Sequence, residues 1–108
     1  MSSLVAWALV LAAGGLEVGM AFALKSSAGW TRPLPSALAL ATALGSIYLL
    51  AAAVRALPLG VAYAVWTGIG AVGVTLVGSL VFAESLSMAR LVFMGFVFVG
   101  IVGLRVSP

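Results

Sequence analysis

The sequence predicts an all-α membrane protein, a single domain over residues 1–108 with four transmembrane helices. Two observations predict this class. Hydrophobic residues make up 65% of the chain and charged residues only 6%, whereas soluble domains carry about 25% charged residues. The apolar residues also fall into four stretches, each close to the roughly 20 residues that a helix needs to cross a bilayer. These stretches are residues 3–24, 34–54, 59–82 and 88–104.

Short polar segments separate the four predicted helices. The first helix ends at Lys25, and the segment after it contains Gly29, Pro33 and Pro35, which are typical of a loop. The second ends at Arg55, and the very short turn RALPLG predicts that helices 2 and 3 are antiparallel neighbours. The short segment FAESLSMAR then leads into helix 4.

Glycines occur in the middle of the third and fourth helices. Helix 3 contains Gly68 and Gly70, and glycines in mid-membrane permit a close approach of helices or a bend. Helix 4 contains Gly95 and Gly100. Because helix association in lipid depends on close contacts, these two glycines predict a face that packs against a second subunit.

The basic residues give almost no preference for one membrane orientation. Three lie on one side of the predicted topology and two on the other, where the N-terminus also lies. With so small a bias, the positive-inside rule does not select an orientation. We therefore expect an antiparallel, dual-topology dimer in the lipid bilayer, although a single well-placed arginine can also fix one orientation. The two sets are Lys25, Arg32 and Arg90, and Arg55 and Arg105.

The composition excludes several function classes. The five basic residues are scattered and form no stripe, so no nucleic-acid partner is expected. The chain contains no cysteine and no histidine, which excludes disulfides, thiolate chemistry and histidine-based metal or acid–base sites. We therefore expect no metal, no cofactor and no enzymatic activity.

Glu17 lies within the first apolar stretch, in the segment GLEVGM. A charge at the bilayer centre costs roughly 3 kcal/mol on insertion scales, and such residues are by default functional. We expect a proton and a cationic solute to compete for this carboxylate. The alternative is a protonated glutamate that only hydrogen-bonds between helices. The other acidic residue, Glu84, is expected at the membrane surface near Arg90, outside the chemistry.

Helices 2 and 3 supply further candidates. Tyr63 and Trp66 share one face of helix 3, with Thr67 beside them, and aromatic faces attract cations. On helix 2, Ser46 belongs to a polar position in the middle of the span. Each of these residues also has an ordinary structural interpretation. The aromatic rings can serve only to pack helices together, and the serine hydroxyl can hydrogen-bond to the backbone of its own helix.

The segments GLEVGMAFALKSSAGWTRPLPS, SIYLLAAAVRALPLGVAYAVWTGIGAVG and IVGLR resemble the small multidrug resistance family along the whole chain. The segment AYAVWTGIGAVG is similar to its guanidinium-exporter branch. The resemblance implies an antiparallel dimer in the cell (inner) membrane that exports a small organic cation, most often guanidinium, in exchange for protons.

The resemblance also implies roles for individual residues. The helix 1 glutamate, Glu17, would bind either the substrate or a proton, but not both at once. Tyr63 and Trp66 would line the site, and Ser46 would belong to its hydrogen-bond network. Residues that line the site more peripherally would be Gly14, Met20 and Thr67. The helix 3 glycines Gly68 and Gly70 would allow a bend during transport, and helix 4 would pair the subunits through Gly95 and Gly100.

Three positions differ from the guanidinium-exporter pattern. Met20, Val61 and Trp30 stand where tryptophan, threonine and phenylalanine are usual. Methionine is flexible and apolar and fits ligands of many shapes. The chain is therefore expected to act either as a homodimer that also accepts substituted guanidines or quaternary ammonium cations, or as one subunit of a heterodimer with a related protein. Outside the exporter class, the sequence is also compatible with a membrane assembly subunit or a passive cation channel.

Overall fold

The computed structural model describes residues 1–107, and within that range the chain forms four α-helices. All four are long and apolar enough to cross a membrane. The helices are α1 (Ser3–Ser26), α2 (Pro33–Ala53), α3 (Leu59–Val81) and α4 (Met88–Val106).

The observed helix ends differ from the apolar stretches by one or two residues. Helices α1 and α4 each continue past the end of the predicted apolar stretch and contain a basic residue, Lys25 or Arg105, in the last turn. A cation at that position interacts favourably with the helix dipole, so the backbone hydrogen bonds continue where hydropathy declines. Helix α2 begins at Pro33, in the first turn where a missing N–H is harmless.

The helices form a thin layer. The principal extents of the chain are 43 × 34 × 16 Å, and the shortest of these is little more than the diameter of one helix. Helix α1 packs against both α2 and α3, whereas α4 packs against α3. Helices α2 and α3, which the short turn predicts to be neighbours, make only slight contact with each other, and both pack mainly against α1.

Small residues predominate where the helices meet. The buried cluster consists of Val10, Ala53, Ala62 and Val65, and most large apolar side chains lie outside it. In lipid, close packing of small residues stabilises helix pairs because apolar burial provides no driving force there. Helix α4 has no buried residue between Met88 and Val106, so its outer surface is open along its length.

Candidate functional site

Glu17 lies near the middle of α1 and turns its side chain towards α3. A methyl group at Gly70 would lie 2.5 Å from Oε2 of Glu17, so only a glycine leaves room for the carboxylate at this point. The close approach of α1 and α3 at Gly70 therefore determines where the charged group lies.

The carboxylate of Glu17 lacks a protein donor at one oxygen. Oε2 is buried and accepts no hydrogen bond from any of residues 1–107. Buried polar groups nearly always have a partner, and one that does not calls for an explanation. Removing water from a carboxylate is costly unless another group replaces the lost interaction. A proton or a cation bound at this carboxylate would supply the interaction that the oxygen lacks.

A pocket opens beside this carboxylate along the outer edge of α1, α3 and α4. It contains Glu17 together with two of the residues predicted to lie near it, Met20 and Thr67. Gly70 and Ala71 form part of its wall on α3, and most of its surface is apolar. Further along, the pocket is lined by Ala21, Val74, Thr75 and Met94. A single carboxylate in an apolar pocket is suited to an organic cation that carries one charge.

The other predicted site residues form a hydrogen-bonded group next to the pocket. The indole Nε1 of Trp66 donates to Oγ of Ser46 at 2.8 Å, and that hydroxyl donates to the carbonyl oxygen of Ala13 at 2.7 Å. The ring of Tyr63 meets the ring of Trp66 edge to face, with centroids 5.2 Å apart. Ser46, which is 1% exposed, thus bonds to another helix rather than to its own backbone.

This hydrogen-bonded group lies one helical turn from the contact between Glu17 and Gly70, both along α1 and along α3. Ala13 precedes Glu17 by four residues on α1, and Trp66 precedes Gly70 by four residues on α3, so each pair shares a helix face. The hydrogen bond from Ser46 of α2 holds α1 at this level, and the bond from Trp66 of α3 holds Ser46 in turn. They position the helix that carries the carboxylate, and Tyr63, which is 54% exposed, faces outward beside it.

The predicted glycines have different surroundings. Gly14 does not line the pocket among the described residues. Instead it receives Ile69 of α3, and a methyl group there would lie 2.6 Å from Cγ2 of that side chain. Gly68 receives Ile101 of α4 in the same way. Helix α3 runs from Leu59 to Val81 without interruption, so in this structure its glycines serve close packing and the bend stays a prediction.

Helix 4 presents its predicted contact residues to the outside. Gly95 and Gly100 have nothing within 4 Å of the position where a methyl group would be. Large apolar side chains on α4, such as Phe96 and Val99, are also exposed. Pairing through these glycines is compatible with this arrangement and stays a prediction.

Two features were not visible in the sequence. Thr75 and Met94 line the pocket and contact each other, with Oγ1 of the threonine 3.8 Å from Sδ of the methionine. Their meeting depends on the register of α3 against α4. Glu84 and Arg90 line a common pocket, in keeping with the expectation that they lie near each other. The ion pair of Glu84 is with Lys25, whose Nζ lies 3.3 Å from its Oε2, while Arg90 donates to the carbonyl oxygen of Ser85 at 2.9 Å.

The sequence over residues 5–97 matches the family model described as Small Multidrug Resistance protein. The chain belongs to the small multidrug resistance family. It is 50% identical over 101 residues to the guanidinium exporter of Citrobacter freundii, which covers 94% of this chain and 96% of that protein. It is 46% identical over 102 residues to the guanidinium exporter of Yersinia pestis, which covers 94% of this chain and 98% of that protein.

Membership of the small multidrug resistance family confirms the predicted class. The chain is a membrane transporter with four apolar helices, and it is a multi-pass protein of the cell inner membrane. The family and the names of these relatives place it among transporters.

Proposed function

We propose that this small multidrug resistance protein exports small organic cations in exchange for protons, with guanidinium or substituted guanidines as its main substrates. The observation that carries the proposal is the buried Oε2 of Glu17, which accepts no hydrogen bond from residues 1–107 and borders an apolar pocket.

The exchange follows from the electrostatics of one carboxylate in an apolar layer. An ionised carboxylate in such a layer is unfavourable when it is bare. Either a proton or an organic cation neutralises it, and a single carboxylate does not hold both at once. Release of the cation on one side therefore requires a proton to replace it, and this requirement couples export to the proton gradient.

Guanidinium suits this site because of its shape. The ion is planar and offers parallel N–H donors, which match the two oxygens of a carboxylate. The rings of Tyr63 and Trp66, 5.2 Å apart, lie one helical turn from the carboxylate and provide π faces for a cation. Support also comes from the relatives of this chain that are named guanidinium exporters.

A wider substrate range is favoured by Met20. Its thioether side chain lines the pocket beside Glu17, and Met94 lies on the other wall. Flexible methionines adapt to ligands of different shapes. We therefore propose that the pocket also accepts substituted guanidines or quaternary ammonium cations, and that guanidinium selectivity is weaker than in an exporter with tryptophan at position 20.

The working unit in this proposal is an antiparallel homodimer. A layer 16 Å thick is too thin to enclose a polar passage, and the Glu17 pocket opens at its side. A second copy facing this side would close the pocket and bring two carboxylates together. The open face of α4 with Gly95 and Gly100 provides the surface for the second copy. A heterodimer with a related subunit is the alternative.

The test is current recording from purified protein on a solid-supported membrane. Guanidinium pulses are expected to produce currents that depend on the proton gradient, and Glu17→Gln is expected to abolish them while the protein still assembles. Flux that ignores the proton gradient would contradict coupling and favour a channel. A silent wild-type protein would contradict the homodimeric exporter and favour a missing partner subunit or an assembly role.

A further inference from the structure

A second acidic pocket lies at the end of α1 and α3, where the membrane-spanning part of the chain meets the surface. After α3, Ala83 adopts a left-handed backbone conformation with φ of 55°. The chain therefore turns back, and the backbone N–H of Glu84 donates to the carbonyl oxygen of Gly78 at 3.0 Å. The turn directs the Glu84 side chain inward over α3.

The carboxylate of Glu84 lies directly against the backbone of Gly78. Any Cβ at position 78 would overlap Oε1 of Glu84. This arrangement repeats the one at Glu17, where the carboxylate lies against Gly70 of the same helix. Each of the two acidic residues of the chain thus places its carboxylate against a glycine of α3, and these two glycines are eight residues apart.

A cation already occupies the second pocket, and it belongs to the protein. Nζ of Lys25 lies 3.3 Å from Oε2 of Glu84 and 5.8 Å from the centre of the Phe82 ring. The ring of Phe22 packs against that of Phe82, with centroids 5.4 Å apart. A carboxylate and an aromatic face hold an ammonium group here, which is the chemistry that also recognises alkylammonium and guanidinium ions.

The ion pair between Lys25 and Glu84 is not fixed by burial. The side chains of Lys25 and Glu84 are 58% and 51% exposed, and ion pairs this exposed contribute little to stability. An incoming cation can therefore take the place of the lysine, whose long side chain then turns to water.

The second pocket is a neighbour of the pocket of Glu17. Ala21 of α1 and Val74 of α3 line both of them. Eight residues of helix separate Glu17 from Lys25, which corresponds to about 12 Å along α1. The residues that line both pockets are apolar, and Val77 and Gly78 add to the apolar lining of the second one. Glu17 and Glu84 are therefore the carboxylates that a cation meets in these two pockets.

We propose that Glu84 forms a second cation site, an access site at the membrane surface at which guanidinium or an alkylguanidinium displaces Lys25 on its way to or from Glu17. The access site extends the proposed function and rests on it for the identity of the cation. Lys25 is a tethered competitor that keeps the site neutral when no substrate is bound.

The access site is tested by isothermal titration calorimetry with guanidinium chloride at low ionic strength. The Glu17 carboxylate is removed by substitution, so that only binding at Glu84 is measured. The double variant Glu17→Gln/Lys25→Met is expected to bind one guanidinium per protomer. Adding Glu84→Gln should abolish that binding. A third variant combines the double variant with Glu84→Asp, which keeps the charge on a side chain that is one methylene shorter. This variant is expected to bind guanidinium at least about fivefold more weakly than the double variant.

Three results would overturn the access site. One is a double variant that elutes as folded protein and binds no guanidinium. Another is binding that survives Glu84→Gln. Equal affinity of the Asp and Glu forms would also contradict it, because a general negative potential at the surface does not depend on the reach of the side chain.

Transport in the otherwise native protein gives a second readout. Glu84→Gln is expected to raise KM for guanidinium at least about threefold at low salt with little change in the maximal rate, and Lys25→Met is expected to lower KM. A reduced maximal rate with unchanged KM would indicate a structural ion pair and contradict the access site. If the wild type transports no cation while the double variant binds one at Glu84, the proposed function fails and the second site stands.

Discussion

The glycines of α3 and those of α4 are alike in the sequence and differ in their surroundings. On α3, Gly68, Gly70 and Gly73 each receive a side chain from a neighbouring helix of the same protomer, and a methyl group would collide with it. On α4, Gly95 and Gly100 face open space. The glycines of α3 therefore allow close contacts between helices of this chain, whereas Gly95 and Gly100 of α4 make no such contact within it.

The difference separates two tasks that close packing performs in a membrane protein. Glycines on α3 allow α1 and α4 to approach, and at Gly70 the neighbouring group is the carboxylate of Glu17. This contact places a charge in the apolar layer at a defined position. Gly95 and Gly100 of α4 face away from the rest of the chain. Small residues of this kind act at interfaces between membrane helices, and a second subunit at this surface stays a prediction.

The largest effect is expected at Gly70. Gly70→Ala puts a methyl group 2.5 Å from Oε2 of Glu17, so the carboxylate or the helix must move, and a misplacement of about 1 Å can reduce activity 100-fold. We expect guanidinium currents on a solid-supported membrane to fall by about that factor.

The matched control for this change is Gly60→Ala on the same helix. Gly60 has nothing within 4 Å of the new methyl group, and alanine is favoured over glycine in a helix by about 1 kcal/mol. The control is expected to assemble and transport as the wild type does. Normal currents from Gly70→Ala would show that the contact with Gly70 does not position the carboxylate.

A smaller effect is expected at Gly100. Gly100→Leu adds a large side chain to the open face of α4, and we expect the dimer to weaken at least about tenfold as measured by subunit exchange in liposomes, because the new side chain blocks close packing. Secondary structure within each subunit should be unchanged. Ala41→Leu, on the exposed surface of α2, serves as control and should leave the dimer unaffected. Equal dimer stability in all three proteins would place the interface elsewhere than at Gly100.

Much of this arrangement could be predicted from the sequence. The four spans follow from hydropathy, and Glu17 is conspicuous as a charge among apolar residues. The hydrogen bond from Trp66 to Ser46 joins two residues that the family resemblance had grouped. These features depend on residue type and on local spacing, which the sequence displays directly.

Other features depend on how the helices are set against each other, and residue type alone does not reveal that. Gly14 was expected beside the carboxylate, but the register of α1 against α3 places Ile69 over it. Lys25 and Glu84 are 59 residues apart, and they meet because Ala83 turns the chain back. No local pattern in the sequence predicts either contact.

The most direct test of the central claim, that Glu17 is shared by a proton and an organic cation, is guanidinium binding to the purified wild-type protein as a function of pH. If the two compete, the apparent Kd rises as pH falls and approaches about a tenfold increase per pH unit once Glu17 is mostly protonated. Glu17→Gln serves as the control, and the binding that shows this pH dependence should be absent from it. A Kd for the wild type that stays constant from acidic to alkaline pH would contradict the claim.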